Sequence, residues 1–151
     1  MRSQIPPELL VRIEESAIVA VLVVDRVEHA VPVARSLLAG GISAIELTLR
    51  TPAAMDGLRA IVAEVPDVLA GIGTILTAEQ VAEVAESGAA FGVAPGFNRH
   101  VVQAAQDRGF PFAPGVATPS EIEAALEMGC VDLKFFPAEP SGGLSYLQSA
   151  A

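Results

Sequence analysis

Apolar positions along this 151-residue chain follow two spacings that take turns. Short unbroken apolar runs begin near Ile18, Ala44, Val68, Phe91, Phe110 and Val131, roughly 20 to 25 residues apart. Between runs the apolar spacing widens to about 3.6 residues. Val27, Ala30, Val31, Ala34, Leu37 and Leu38 share one helical face, as do Val81, Val84 and Ala85. A buried strand, a helix and a turn fit in each interval, and strands that alternate with helices imply a parallel sheet. The pattern predicts a leading helix at about 7–16 and then six strand–helix units.

The helix boundaries have chemical markers. Asp25 with Glu28, Thr77 with Gln80, and Thr118 with Glu121 match the capping box, and Pro119 takes the favoured first helical position. Thr51-Pro52 reads as another helix start. Gly40-Gly41, Gly88, Gly109 and Gly129 suit helix ends, while Pro32 inside the first of these helices should kink or shorten it. Phe91-Gly92-Val93-Ala94-Pro95-Gly96 and Phe110-Pro111-Phe112-Ala113-Pro114-Gly115 both close in Ala-Pro-Gly, as equivalent units would. No linker or composition shift divides the chain, so one domain over 1–151 is expected.

Composition narrows the function classes. A net charge of −9 argues against nucleic acid or an anionic membrane surface as partner. A lone cysteine, Cys130, excludes an internal disulfide framework and fits a reducing cytoplasm. The N-terminal stretch lacks the long apolar segment of a signal peptide, and the run from Ile18 to Val24 is too short to span a bilayer. His29 and His100 lack metal-ligand spacing and read as helix-surface residues, so no metal and no cofactor is expected.

Candidate chemistry gathers at strand ends. Of the nine lysines and arginines only Lys134 is a lysine, and it lies within the apolar run Val131-Asp132-Leu133-Lys134-Phe135-Phe136. A lysine in apolar surroundings loses its proton readily and can form Schiff bases, whereas arginine stays charged. The bland alternative is a strand-end lysine whose head group reaches water. Phe136 would share its face and lower local polarity. On the second run, Glu46, Thr48 and Arg50 share a face and Leu47 and Leu49 the other. This is either an acid–base group beside an anion clamp or a structural ion pair. Gly71-Ile72-Gly73-Thr74 ends the third run in a hydroxyl, as a binding element or only a tight turn, and Ser141-Gly142-Gly143 is a phosphate loop or a helix-initiating turn.

Taken together, the strings Glu46-Leu47-Thr48-Leu49-Arg50-Thr51, Gly71-Ile72-Gly73-Thr74, Ala94-Pro95-Gly96 and Lys134-Phe135-Phe136-Pro137-Ala138-Glu139 resemble the 2-keto-3-deoxy-6-phosphogluconate (KDPG/KHG) aldolases. The resemblance runs from about Ile18 to the last residue. It implies an α/β fold of the (β/α)8 TIM-barrel type, a metal-free class I aldolase, a cytoplasmic homotrimer, and cleavage of a keto acid to pyruvate and an aldehyde. By matching position it gives Lys134 as the Schiff-base lysine and Glu46 as the proton-transferring carboxylate. Arg50 and Thr74 would hold the pyruvate carboxylate, and Pro95 and Phe136 complete the expected substrate-binding set. Members of the family continue through two further strand–helix units, so about six of eight are expected here. A truncated, inactive barrel fragment that persists through association is the alternative to the lyase.

Overall fold

Parallel neighbours cannot be joined by a tight hairpin, so each strand needs a crossover, and the capped amphipathic segments supply it. The computed structural model describes residues 3–150. In chain order the elements are α1 (Pro7–Ser16), β1 (Val19–Leu22), α2 (Val27–Ala39), β2 (Ala44–Thr48), α3 (Ala54–Glu64), β3 (Leu69–Gly73) and α4 (Ala78–Ala85). They continue as β4 (Gly92–Val93), α5 (Arg99–Asp107), β5 (Phe112–Ala113), β6 (Gly115–Val116), α6 (Pro119–Glu127), β7 (Lys134–Phe135) and α7 (Gly143–Ala150). Strands β1 to β5 pair in sequence order, every pair parallel, and β6 pairs in parallel with β7. This is the strand–helix alternation that the sequence predicts, with six units after α1.

The fifth apolar run differs from a simple strand. It is divided at Pro114, which has no amide hydrogen for a ladder, into β5 and β6. The ladder therefore passes from β5, paired with β4, to β6, paired with β7.

Helix starts divide by mechanism. Thr77 and Thr118 each accept from the amide three residues on, while Gln80 and Glu121 reach back, so both capping boxes are complete. The other two expected starts are corrected. α2 begins at Val27 with Arg26 as its N-cap and no side-chain cap, because Glu28 is held by the Arg26 guanidinium. α3 begins at Ala54 without a side-chain cap, and the Thr51 hydroxyl donates instead to the Val24 carbonyl beyond β1. α2 continues through Pro32 to Ala39 and is not shortened by it. The glycine stops fall as expected after α4, α5 and α6, but after α2 it is Gly41, at φ 89°, and not Gly40 that turns left-handed.

Two apolar clusters sit on the two sides of the strands. The larger packs the helices on the outer face, with Ile45, Leu47, Leu58, Ile61, Ile72 and Val81 fully buried. The smaller fills the interior beneath the polar residues of β2, where Ile5 and Leu9, the latter on α1, meet Ala44, Leu69, Phe91 and Val93. Ser16, at the end of α1, accepts from the Ser43 and Ala44 amides at 3.3 and 3.1 Å. That contact pins the start of β2 and so the height at which its later residues stand. Among the described residues no helix is long and apolar enough to cross a membrane.

Candidate active site

Register sets what faces what. Val21, Glu46 and Gly71 are partners across β1, β2 and β3, and Thr48 pairs with Gly73 one step nearer the C-terminal ends. Residues in register on parallel strands point the same way, so Glu46 and Thr48 are on the interior face and Leu47 on the helix face. Both polar residues are buried, 4% and 1% exposed. The Thr48 hydroxyl donates to the Leu22 carbonyl at 3.1 Å, which ties β2 to β1.

Glu46 has a different partner. The Lys134 Nζ donates to Glu46 Oε1 and Oε2, each at 3.0 Å, across 88 positions of sequence. The lysine opens β7, and its own amide donates to the Pro114 carbonyl at 2.9 Å, so ladder pairing with the broken fifth strand aims the amine inward. The carboxylate is 5% exposed and the lysine side chain 24%. A charge pair this far from water needs good geometry to offset its desolvation, and two equal contacts provide it. The Phe136 ring centroid lies 5.2 Å from Nζ, a further contact to the cation.

A cavity of about 360 Å³ opens beside this pair. All six site residues expected from the sequence line it: Lys134, Glu46, Arg50, Thr74, Pro95 and Phe136. Val21 and Thr48 complete the lining. Arg50 is exposed and lines the cavity, and among the described residues it pairs with no carboxylate. Thr74 follows Gly73 at φ 64°, in the left-handed region that a β-branched residue normally avoids. Such a conformation persists only where its surroundings impose it, and it clusters at functional sites.

Chemically the arrangement offers an amine, a carboxylate within hydrogen-bond reach to take or return its proton, and a guanidinium with a nearby hydroxyl suited to a carboxylate ligand. The ion pair that the sequence left open is thus between Glu46 and Lys134, with Arg50 left for another anion. Cys130 plays no such part, since it is buried and burial, then the Asp132 charge, pushes its thiol up. His29 and His100 are exposed on helices. Among the described residues no group of three His, Cys, Asp or Glu side chains could hold a metal ion.

Sequence reasoning did not single out Val21, and it named Gly73 only as part of the Gly71-Ile72-Gly73-Thr74 turn. Val21 stands in the Glu46 row, so a register between the first two runs would have found it.

The family described as KDPG and KHG aldolase matches residues 10–151. A KHG/KDPG aldolase of Escherichia coli K12 is 46% identical over 134 residues, which cover 89% of this chain and 63% of that protein. A 2-dehydro-3-deoxy-phosphogluconate aldolase of Dickeya dadantii is 43% identical over 134 residues, with the same coverage. Among solved structures, the Zymomonas mobilis ZM4 2-keto-3-deoxy-6-phosphogluconate aldolase with 3-phosphoglycerate superposes with a TM-score of 0.89 at 35% identity, covering 94% of this chain and 68% of that one. The Legionella pneumophila KDPG aldolase, with pyruvate captured as a covalent carbinolamine intermediate, gives 0.86 at 41% identity, covering 89% and 66%. The chain therefore has the TIM-barrel-type fold of these enzymes and spans 63% of the length of the first two relatives.

Proposed function

The chain belongs to the KDPG and KHG aldolase family, and from that premise we propose that it is a class I aldolase acting on a 2-keto acid through Lys134. The observation that carries the proposal is the paired 3.0 Å contact of the Lys134 Nζ with both Glu46 oxygens, at the edge of a cavity that also holds Arg50 and Thr74. Residues 1–151 act in it as one domain.

Glu46 takes a proton from the ammonium, which frees the amine to attack the keto carbon. The resulting carbinolamine loses water to form an iminium. Arg50, aided by the Thr74 hydroxyl, holds the substrate carboxylate, since a guanidinium can bond both oxygens at once. Glu46, having returned its first proton to the departing water, takes the proton from the C4 hydroxyl; the C3–C4 bond breaks, its electron pair flows to the iminium nitrogen, and the aldehyde leaves. The enamine is protonated at C3 by a proton relayed from Glu46, and water then releases pyruvate and the free lysine. Pro95 and Phe136 bound the space around the reacting carbons. The substrate is 2-keto-3-deoxy-6-phosphogluconate, with 4-hydroxy-2-oxoglutarate as a second one. The working state is a cytoplasmic homo-oligomer, a trimer by family resemblance.

Incubation with pyruvate and borohydride, followed by intact mass and peptide mapping, tests the reading. We expect one reduced adduct on Lys134 and none in Lys134→Arg, because a guanidinium forms no imine. An adduct confined to the N-terminal amine would end the proposal.

A further inference from the structure

We infer that Gly73 is a positioning residue for Glu46: its missing side chain is the space in which the catalytic carboxylate stands. This rests on the role proposed for Glu46. A Cβ built on Gly73 would lie 1.8 Å from Glu46 Oε1, 2.6 Å from its Cδ and 2.9 Å from its Cγ. All three distances are shorter than atoms of this kind approach one another, and all three involve the same side chain. Glu46 pairs in register with Gly71 yet leans over Gly73, one inward position nearer the C-terminal ends of the strands, where the Lys134 amine is.

The backbone side of the contact cannot give way easily, so the carboxylate must. The Gly73 carbonyl accepts from the Leu49 amide at 2.9 Å, and Thr74 beyond it is already held in the left-handed region. The carboxylate is held from the other side by its two bonds to Lys134. A methyl group at position 73 would turn the carboxylate away from Nζ and separate proton acceptor from amine. Gly71, its neighbour on the same face, has a different task, since its own Cβ would strike the Phe91 ring at 2.4 Å and not the site. The Gly-x-Gly of β3 is thus two close approaches, one to the interior core and one to the acid–base group.

The test is a double cycle between Gly73→Ala and Glu46→Ala, read by the rate of the pyruvate–borohydride adduct and by thermal melting. With Glu46 in place, Gly73→Ala should slow adduct formation roughly tenfold to a hundredfold, the loss typical of a displaced reacting group, and lower the melting point by about 5 °C. In the Glu46→Ala background the same substitution should cost nothing further in either. Should Gly73→Ala fail to fold, recovery of a folded chain in the double variant supports the inference, and failure of both overturns it. An unchanged adduct rate in Gly73→Ala overturns it, as does an equal melting loss in both backgrounds. A wild-type chain that forms no adduct sinks the proposed function, and the melting cycle still decides whether Gly73 holds Glu46.

Discussion

At the scale of single residues the site depends on one charge pair, a buried carboxylate and a half-buried amine. Lys134 and Glu46 neutralise each other at 3.0 Å in a setting where either alone would be costly. In the proposed mechanism the pair is also a proton relay, which makes the carboxylate separable from the amine by experiment. Glu46→Gln keeps the shape and a hydrogen-bond partner but cannot take a proton. We expect it still to reach the pyruvate adduct, though more slowly, and to slow exchange of the pyruvate methyl protons by roughly 10²-fold or more, measured by deuterium uptake. Exchange at the wild-type rate would assign the proton to another group. Lys134 and Glu46 were legible in the sequence for local reasons: one is the sole lysine, set in an apolar run, and the other alternates with leucines on a strand. Gly73 was not, because its importance lies in a side chain from the adjacent strand. Only register brings Glu46 over it, and no local pattern encodes register between parallel strands.

At the scale of elements, the helices that follow β3 and β6 begin with complete capping boxes, and those that follow β1 and β2 do not. The sequence predicted a start near each of the four, and two had to be corrected because it could not tell which side chains would be drawn elsewhere. Glu28 goes to an adjacent arginine and Thr51 to a carbonyl 27 residues earlier, and both compete with a cap. Exposed ion pairs from one helix to the next, Arg35–Glu64, Arg59–Glu83 and Arg99–Glu127, add little in water. The caps should matter more. Thr118→Ala removes the hydroxyl that accepts from the Glu121 amide and should cost about 1 kcal/mol in urea unfolding. Its partner adds a pH dependence. Glu121 accepts from the Ala117 amide and from the Thr118 hydroxyl and amide, and these contacts hold its carboxyl below the ordinary glutamate range. A carboxyl with a lower pKa when folded stabilises fully above its unfolded pKa and loses that contribution as pH falls through the folded one. The stability gap between wild type and Glu121→Gln should therefore be widest near neutral pH and close in acid. A gap that widens as pH falls would contradict the assignment.

At the scale of the whole molecule, the sheet is well covered by helices but its first strand is not. Among the described residues β1 pairs only with β2, and Ile18, Val21 and Val23 are 56%, 57% and 54% exposed. An apolar strand with an unpaired edge is a template for another strand, which natural proteins blunt with charge. The six-run periodicity foretold the order of the strands, and the expectation of about six of eight units already implied an open edge on the first strand, although as apolar runs an edge strand and a covered strand read alike. We expect the 151-residue chain to self-associate through this edge. Its net charge of −9 opposes such association, so added salt should strengthen it by screening the repulsion while leaving the apolar contact intact. Ile18→Lys places an ammonium on the edge, outside the cavity lining, and should shift the sedimentation profile toward the monomer while Lys134 keeps its reactivity. Salt and substitution together separate the causes. An assembly held by ion pairs would dissolve as salt rises, and one built on another face would ignore Ile18→Lys altogether.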